Sequence, residues 1–324
     1  MPSVHRFAAG TALVWLCAGF VQTVAAAYPD KPIRVIVPFA PGGGTDMIAR
    51  VLMQEASGGL GTSIVVDNRG GAGGVVGTET GVRAAADGYT LTLGSGSYAT
   101  SAALNELSYD PVRDITPIIL VGDSPFIMTV NPGVAANTLQ ELIRLAKAKP
   151  GSLSYGTTGT GGITHLAVEL FDMLAGTQMV PIPYKGTAPA LNDAIAGQIP
   201  VMLGTAPSTL PHVRSKRLRA LAVTSARRSS FAPDLPTVAE AGVPRYEAIT
   251  WYAVWGPKNL PAVIIARLNA EFAKALAVPD VRRKFEVEAL EIRGGSPQVL
   301  EALIAREIAK WKTVVQKANL KATP

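Results

Sequence analysis

The chain has almost no cysteine. Of 324 residues only Cys17 carries a thiol, so an internal disulfide and a multi-cysteine metal site are excluded. Histidine is nearly as rare, with three in the chain. His165 and Glu169 stand four apart and could share a helix face, but no third ligand accompanies them. No metal is expected. Aromatic residues make up 6% of the chain, and its 30 basic residues are scattered. The densest basic stretch, Arg214 to Arg219, reads as a solvated loop before a strand. Nucleic acid is therefore not an expected partner. No apolar run beyond the first segment approaches the roughly 20 residues of a membrane span. No GxxxxGK[ST] sequence occurs. Gly71-Ala72-Gly73-Gly74-Val75-Val76-Gly77 imitates a dinucleotide fingerprint, but no acidic residue ends the next strand. Gly94-Ser95-Gly96-Ser97 is not a nucleophile elbow, and no histidine is tied to a nucleophile. No catalytic residue and no cofactor are expected.

The first 27 residues read as a secretory signal. His5 and Arg6 form a basic start, Phe7 to Val24 is apolar, and Ala25-Ala26-Ala27 supplies small residues for cleavage after Ala26 or Ala27. Gly10, Gly19 and Gln22 break the apolar stretch, which disfavours a retained anchor. The residue before Cys17 is Leu16, where a lipoprotein signal needs a small residue. The expected mature chain starts after residue 26, carries a net charge of +5 once Arg6 is removed, and is long enough for two domains.

Three glycine-rich turns dominate the mature chain. The clearest is Phe39-Ala40-Pro41-Gly42-Gly43-Gly44-Thr45-Asp46, between the run Ile33–Val37 and the helical pattern from Met47. A strand that enters glycines and then a helix aims several backbone N–H groups at one point, and the helix dipole adds partial positive charge there. Such a turn can hold an anion without a cationic side chain. The others are Asn68 to Gly74 and Gly156 to Gly162. Thr45 reads as an N-cap, a ligand hydroxyl or both. Asp46 reads mainly as structural, favoured by the dipole and able to pair with Arg50 four residues on. Ser95 and Ser97 come just after a strand, where binding loops of open α/β sheets gather. Lys185, after Tyr184, reads either as an anion contact or as a solvated turn residue. Trp251, Tyr252 and Trp255 read as a hinge cluster or as a cleft wall.

Apolar β-branched runs alternate with helical patterns, which predicts a mostly parallel sheet covered by helices. Strands are expected at Ile118–Val121 and Phe126–Val130, with Gly122-Asp123-Ser124-Pro125 between them as one crossing between lobes. A second crossing is expected at Arg245 to Trp251. Lobe 1 then comprises residues 27–125 and 249–324, and lobe 2 residues 126–248. Thr138 and Glu141 form a capping box. Leu300, Leu303, Ile304, Ile308 and Trp311 give the last helix one apolar face.

In order and spacing these motifs resemble the periplasmic substrate-binding proteins of tripartite tricarboxylate transporters, the Bug or TctC-like family. The resemblance runs from Tyr28-Pro29-Asp30-Lys31-Pro32-Ile33 through the glycine turns, Asp87-Gly88-Tyr89-Thr90-Leu91, Tyr155–Leu166 and Pro183–Ala190. It continues through Gly197-Gln198-Ile199, Leu210-Pro211-His212-Val213 and Leu221–Thr224 to Leu235–Gly242. It implies a two-lobed α/β fold like type II periplasmic binding proteins (a Venus flytrap), a monomer with a small carboxylate in its cleft, and membrane partners in the transporter. Mapped here, the site comprises Phe39, Ala40, Gly42, Gly43, Gly44, Thr45 and Asp46 in one lobe, joined by Ser95 and Ser97. The other lobe gives Thr157, Thr158, Gly159, Thr160, Gly161, Gly162 and Thr164, with Tyr184, Lys185, Gly204 and Thr205. Three positions depart from the family pattern. Gly162 stands where serine is frequent, Gly204-Thr205 where an Asp-Asn pair is common, and Ser215-Lys216-Arg217 lacks a frequent glycine. Loss of an acidic side chain at the second favours a ligand without an amine. Two other readings remain: a sensory module reporting to a membrane receptor, and an enzyme on the same fold.

Overall fold

A computed structural model describes residues 28–322 apart from Glu288. The proposed cleavage site lies outside the described residues. The elements in chain order are β1 (Ile33–Val37), α1 (Gly44–Leu60), β2 (Ile64–Asn68), α2 (Val75–Val82), β3 (Thr90–Ser95), α3 (Ser97–Leu104) and β4 (Ile115–Val130). Next come α4 (Leu139–Ala148), β5 (Ser154–Thr157), α5 (Ile163–Ala175), β6 (Val180–Pro183), α6 (Thr187–Ile195), β7 (Val201–Thr205), α7 (Ala206–Arg214) and β8 (Arg219–Val223). The chain ends with β9 (Ile249–Pro257), α8 (Ala262–Ala277), α9 (Pro279–Val287), β10 (Glu291–Ile292) and α10 (Pro297–Lys317).

The fold is two-lobed α/β, and one strand belongs to both sheets. The main strand path is β2-β1-β3-β9-β4-β7-β5-β6, with β8 and β10 also paired to β4. Within each lobe the βα units give parallel pairs: β1 with β2 and β3, and β5 with β6 and β7. The long connecting strands β4 and β9 run antiparallel to their neighbours. The sheet is thus less uniformly parallel than the alternation predicts.

The two strands expected at Ile118–Val121 and Phe126–Val130 are one strand, β4. Its first part pairs with β9 as far as Pro125↔Ile249, and from Phe126 it pairs with β7. Register shifts between Pro117 and Ile119 and between Leu120 and Gly122 accommodate residues that a regular ladder would reject. Gly122 to Pro125 is therefore strand, not loop. The chain changes sheets at Pro125 without leaving extended conformation.

Apolar burial tracks the strand pattern. In β1, Ile33, Val35, Ile36 and Val37 are buried, and Ile33, Val35 and Val37 pack with Ile48, Leu52 and Phe272 from the covering helices. A second cluster joins Phe126, Tyr155, Leu166 and Phe171 to Leu300, Ile304, Ile308 and Trp311 of α10. The last helix therefore buries the face expected of it. That same cluster holds Tyr98 and Trp255, so α10 packs on both halves of the molecule. Thr138 caps α4 by accepting from Glu141 N–H at 3.2 Å, while the Glu141 carboxylate accepts from the N–H of Asn137, one residue before the cap, at 2.6 Å. No helix among the described residues is long and apolar enough to cross a membrane.

Candidate functional site

Five helices begin around one small cavity between the sheets. α1 starts at Gly44, α3 at Ser97, α5 at Ile163, α6 at Thr187 and α7 at Ala206, and none has a capping side chain at its own N-cap. Each start leaves backbone N–H groups without intrahelical partners and carries the positive end of a helix dipole. The caps of the first four are Gly43, Gly96, Gly162 and Gly186, so backbone rather than side chain faces the space. One cap is supplied from a distance: Ile163 N–H of α5 donates to Ser97 Oγ of α3 at 3.1 Å.

The cavity has fourteen lining residues. Of those expected from the sequence it brings together Phe39, Gly43, Gly44, Thr45, Ser95, Ser97, Thr158, Thr164 and Thr205. It adds Phe126, Ile163, Thr187 and Thr250, and of the aromatic cluster read as a hinge or a cleft wall it includes Tyr252 but neither Trp251 nor Trp255. Nine of the fourteen carry a hydroxyl and none carries a charge, so any anion here is held by dipoles alone. The free space is about 10 Å³, room for about one water. A larger ligand enters only if the walls separate.

Ala40, Gly159, Thr160, Tyr184 and Lys185 line a larger, outer cavity of about 910 Å³ beside Gly71, Ala72, Asn105 and Glu106. The Tyr184 hydroxyl donates to Asp193 at 2.6 Å. Lys185 contributes its carbonyl to the closed contact, accepting from Ala40 N–H at 2.9 Å. The remaining expected residues line neither cavity and shape the loops. Thr157 Oγ1 accepts from Gly159 N–H, and Gly162 N–H donates to the Gly159 carbonyl. Gly161 N–H donates to His165 Nδ1 at 3.2 Å, and Gly204 lies in β7 against Thr209.

Asp46 turns away from the cavity. Its carboxylate accepts from Gly42 N–H at 2.9 Å, Arg50 at 3.0 Å and Asn68 at 3.0 Å. Burial raises its pKa, but these three donors outweigh that and hold the carboxyl below its ordinary value. The aspartate thereby ties the turn to β2 through Asn68, which also donates to the Phe39 carbonyl at 3.1 Å. His165 is neutral near pH 7, since burial pushes its pKa down to about 4. Its Nε2 lies 3.7 Å from Glu169, whose pKa burial raises, and Glu169 accepts from Tyr155 at 2.9 Å. No cluster of three or more metal-ligating side chains occurs among the described residues.

The glycine turns meet face to face. A Cβ on Gly73 would lie 2.5 Å from the Thr160 carbonyl oxygen and 2.9 Å from Gly162 N. One on Gly159 would lie 2.5 Å from Gly73 N, and one on Gly70 2.8 Å from the Lys185 carbonyl oxygen. Ser101 Oγ sits between the Gly73 and Gly161 carbonyls at 3.3 and 3.4 Å. Backbone touches backbone across this seam, a separation that side chains would forbid.

Thr187 was detectable in principle, because Lys185-Gly186-Thr187 repeats the glycine-then-helix pattern of Gly43-Gly44-Thr45. Thr250 carries no such signal, and Tyr252 only its place in an aromatic cluster that reads equally as a hinge. They reach the cavity because β9 pairs Tyr252 with both Ser95 and Gly122.

Two lobes sharing a continuous strand, with helix starts converging on a closed polar cavity, define a two-lobed solute-binding protein. The chain belongs to the TctC family, the receptors of the tripartite tricarboxylate transporter family, whose model matches residues 48–320. It is 39% identical over 313 residues to protein BugT of Bordetella pertussis, covering 94% of each chain. Among solved structures it resembles periplasmic binding protein BugD (TM-score 0.89, 32% identity, 91% of this chain and all of that one). It also resembles R. palustris Rpa4515 with adipate (TM-score 0.87, 34% identity, 90% of this chain and 98% of that one).

Proposed function

We propose that the chain is a monomeric periplasmic receptor, not an enzyme, that captures a small carboxylate and delivers it to the membrane subunits of a tripartite tricarboxylate transporter. The observation that carries this reading is the uncharged, hydroxyl-lined cavity at which five helices begin without a capping side chain at their own N-caps. Such a site suits an anion and offers no nucleophile–base pair. The relative with adipate in its structure supports a dicarboxylate or related organic acid. The binding step is closure of lobe 1 (residues 27–125 and 249–324) on lobe 2 (residues 126–248), with the ligand favouring the closed state through contacts to both.

No acidic side chain lines the inner cavity, and Thr205 there contributes only a hydroxyl. An ammonium group would find no counter-charge, so the ligand lacks an amine close to its bound carboxylate. Calorimetric titration with C4 to C6 dicarboxylates, hydroxydicarboxylates and their amino analogues tests this. The proposal expects saturable binding of at least one acid and weaker binding of its amino analogue. Equal affinity for the pair contradicts the amine argument, and no binding by any acid contradicts the receptor reading.

A further inference from the structure

Tyr252 is fully buried, and its hydroxyl makes no hydrogen bond of proper geometry among the described residues. Burial raises the phenol's pKa, and the nearby Thr205 hydroxyl offsets that in part, but the hydrogen bond of proper geometry that Thr205 Oγ1 makes is with Ser208 Oγ at 2.7 Å. Tyr252 lines the inner cavity, and a Cβ built on Gly44 would lie 3.2 Å from its oxygen and 2.6 Å from Thr205 Oγ1. The phenol thus stands at the first turn of α1, where the backbone N–H groups open. A buried tyrosine ordinarily finds a partner, and one left without is costly to the folded state. Trp251 and Trp255 on the same strand also have unpartnered indole nitrogens, but neither lines this cavity.

We propose that Tyr252 is a ligand-binding residue, its hydroxyl donating to the carboxylate held at the start of α1. This rests on the carboxylate-receptor reading above and adds a side-chain donor to a cradle otherwise built of helix starts and short hydroxyls. The donor comes from β9, which pairs with both β3 and β4, so a ligand that engages it ties the α1 loop to the crossing strands. A phenol donor rewards an acceptor oxygen at this point and leaves an unmet donor when a methylene lies there.

The test compares two tyrosine-to-phenylalanine variants of the mature protein. Tyr252→Phe removes only the orphaned oxygen. Tyr246→Phe removes a hydroxyl that donates to the Ala167 carbonyl at 3.1 Å, away from the cavity. Melting temperature is read without ligand. Affinity is read by calorimetry for the acid that wild type binds best among succinate, malate, glutarate and adipate. Tyr252→Phe is expected to melt at or above the wild-type temperature and to bind roughly 10- to 100-fold more weakly, the loss of a hydrogen bond to a charged group. Tyr246→Phe is expected to melt lower and bind normally. If Tyr252→Phe binds as wild type does, or melts lower with affinity unchanged, Tyr252 is structural and the inference is wrong. If wild type itself binds none of the acids, the receptor reading fails and this inference falls with it.

Discussion

The seam between the glycine turns gives a direct way to separate closure from ligand contact. Gly73 has φ +65°, and a methyl there would lie 2.5 Å from the Thr160 carbonyl oxygen, where ordinary contact begins at 3.4 Å. In Gly73→Ala the lobes must stand off by most of that 0.9 Å difference (3.4 − 2.5) or distort backbone on both sides. The left-handed conformation costs an alanine roughly 1–2 kcal/mol in open and closed forms alike, so it lowers stability without touching affinity. The overlap exists only when the lobes are shut. An overpacking cost of roughly 1–3 kcal/mol on the closed form weakens ligand binding about 5- to 150-fold. Gly61→Ala is the control: its φ is +70° and nothing lies within 4 Å of the added carbon. Both variants should melt several degrees lower, and only Gly73→Ala should lose affinity. Small-angle scattering with saturating ligand should show Gly73→Ala less compact than Gly61→Ala. Equal affinity and equal compaction in the two variants would refute the claim that this seam closes on binding.

The same geometry sets three further outcomes. A methyl on Gly43 meets Thr187 at 3.6 Å and Ala188 N at 3.8 Å, both ordinary contacts, so Gly43→Ala should bind within a few-fold of wild type, whereas Gly43→Val should abolish measurable binding in calorimetry by pushing its branches toward the helix starts. Trp251 and Trp255 are buried on β9, so ligand should change the intrinsic fluorescence, and a Trp251→Phe/Trp255→Phe double variant that still binds should lose that change; a signal that persists would implicate Trp311 or the tyrosines. His165 has its pKa lowered from 6.5 to about 4 by burial, so between those values the unfolded chain binds a proton that the native one does not, and stability falls as pH drops through that window by up to roughly 3 kcal/mol. Urea unfolding of His165→Gln should show a flatter profile from pH 6.5 to 4; an unchanged slope would assign the acid sensitivity elsewhere.

Much of this architecture was legible in the chain because local signals and tertiary packing agree. The helix Leu139–Ala148 starts where the Thr138 and Glu141 signal puts it, and Pro297–Lys317 buries the face its apolar spacing sets, since such a stripe has to be covered. β4 was legible only in halves. Gly122 and Pro125 are turn formers by local rule, and only pairing with β9 keeps them extended. The site divides in the same way. Helix starts after glycines can be read from order alone, which is why Gly43, Gly44, Thr45 and Thr158 were accessible. Asp46 carries the same positional signal but spends its carboxylate on Arg50, Asn68 and Gly42, partners that folding supplies. Tyr252 and Thr250 lie on an ordinary buried strand, and only the sheet order brings them to α1.

Backbone N–H groups and hydroxyls, not a cationic side chain, are expected to anchor the ligand's carboxylate. No lysine or arginine lines the inner cavity. Lys185 lines the outer cavity, and Arg69, within the second glycine turn, is paired with Asp67 at 3.1 Å. The decisive measurement is one calorimetric series with the best-binding acid: acid against its amide on wild type, then the acid on Lys185→Ala and on Arg69→Ala. The amide should lose at least the roughly 1.5–3 kcal/mol of a hydrogen bond to a charged group, and each alanine variant should lose less than the amide does. If either alanine variant loses more affinity than the amide, an ion pair holds the ligand and the account is contradicted.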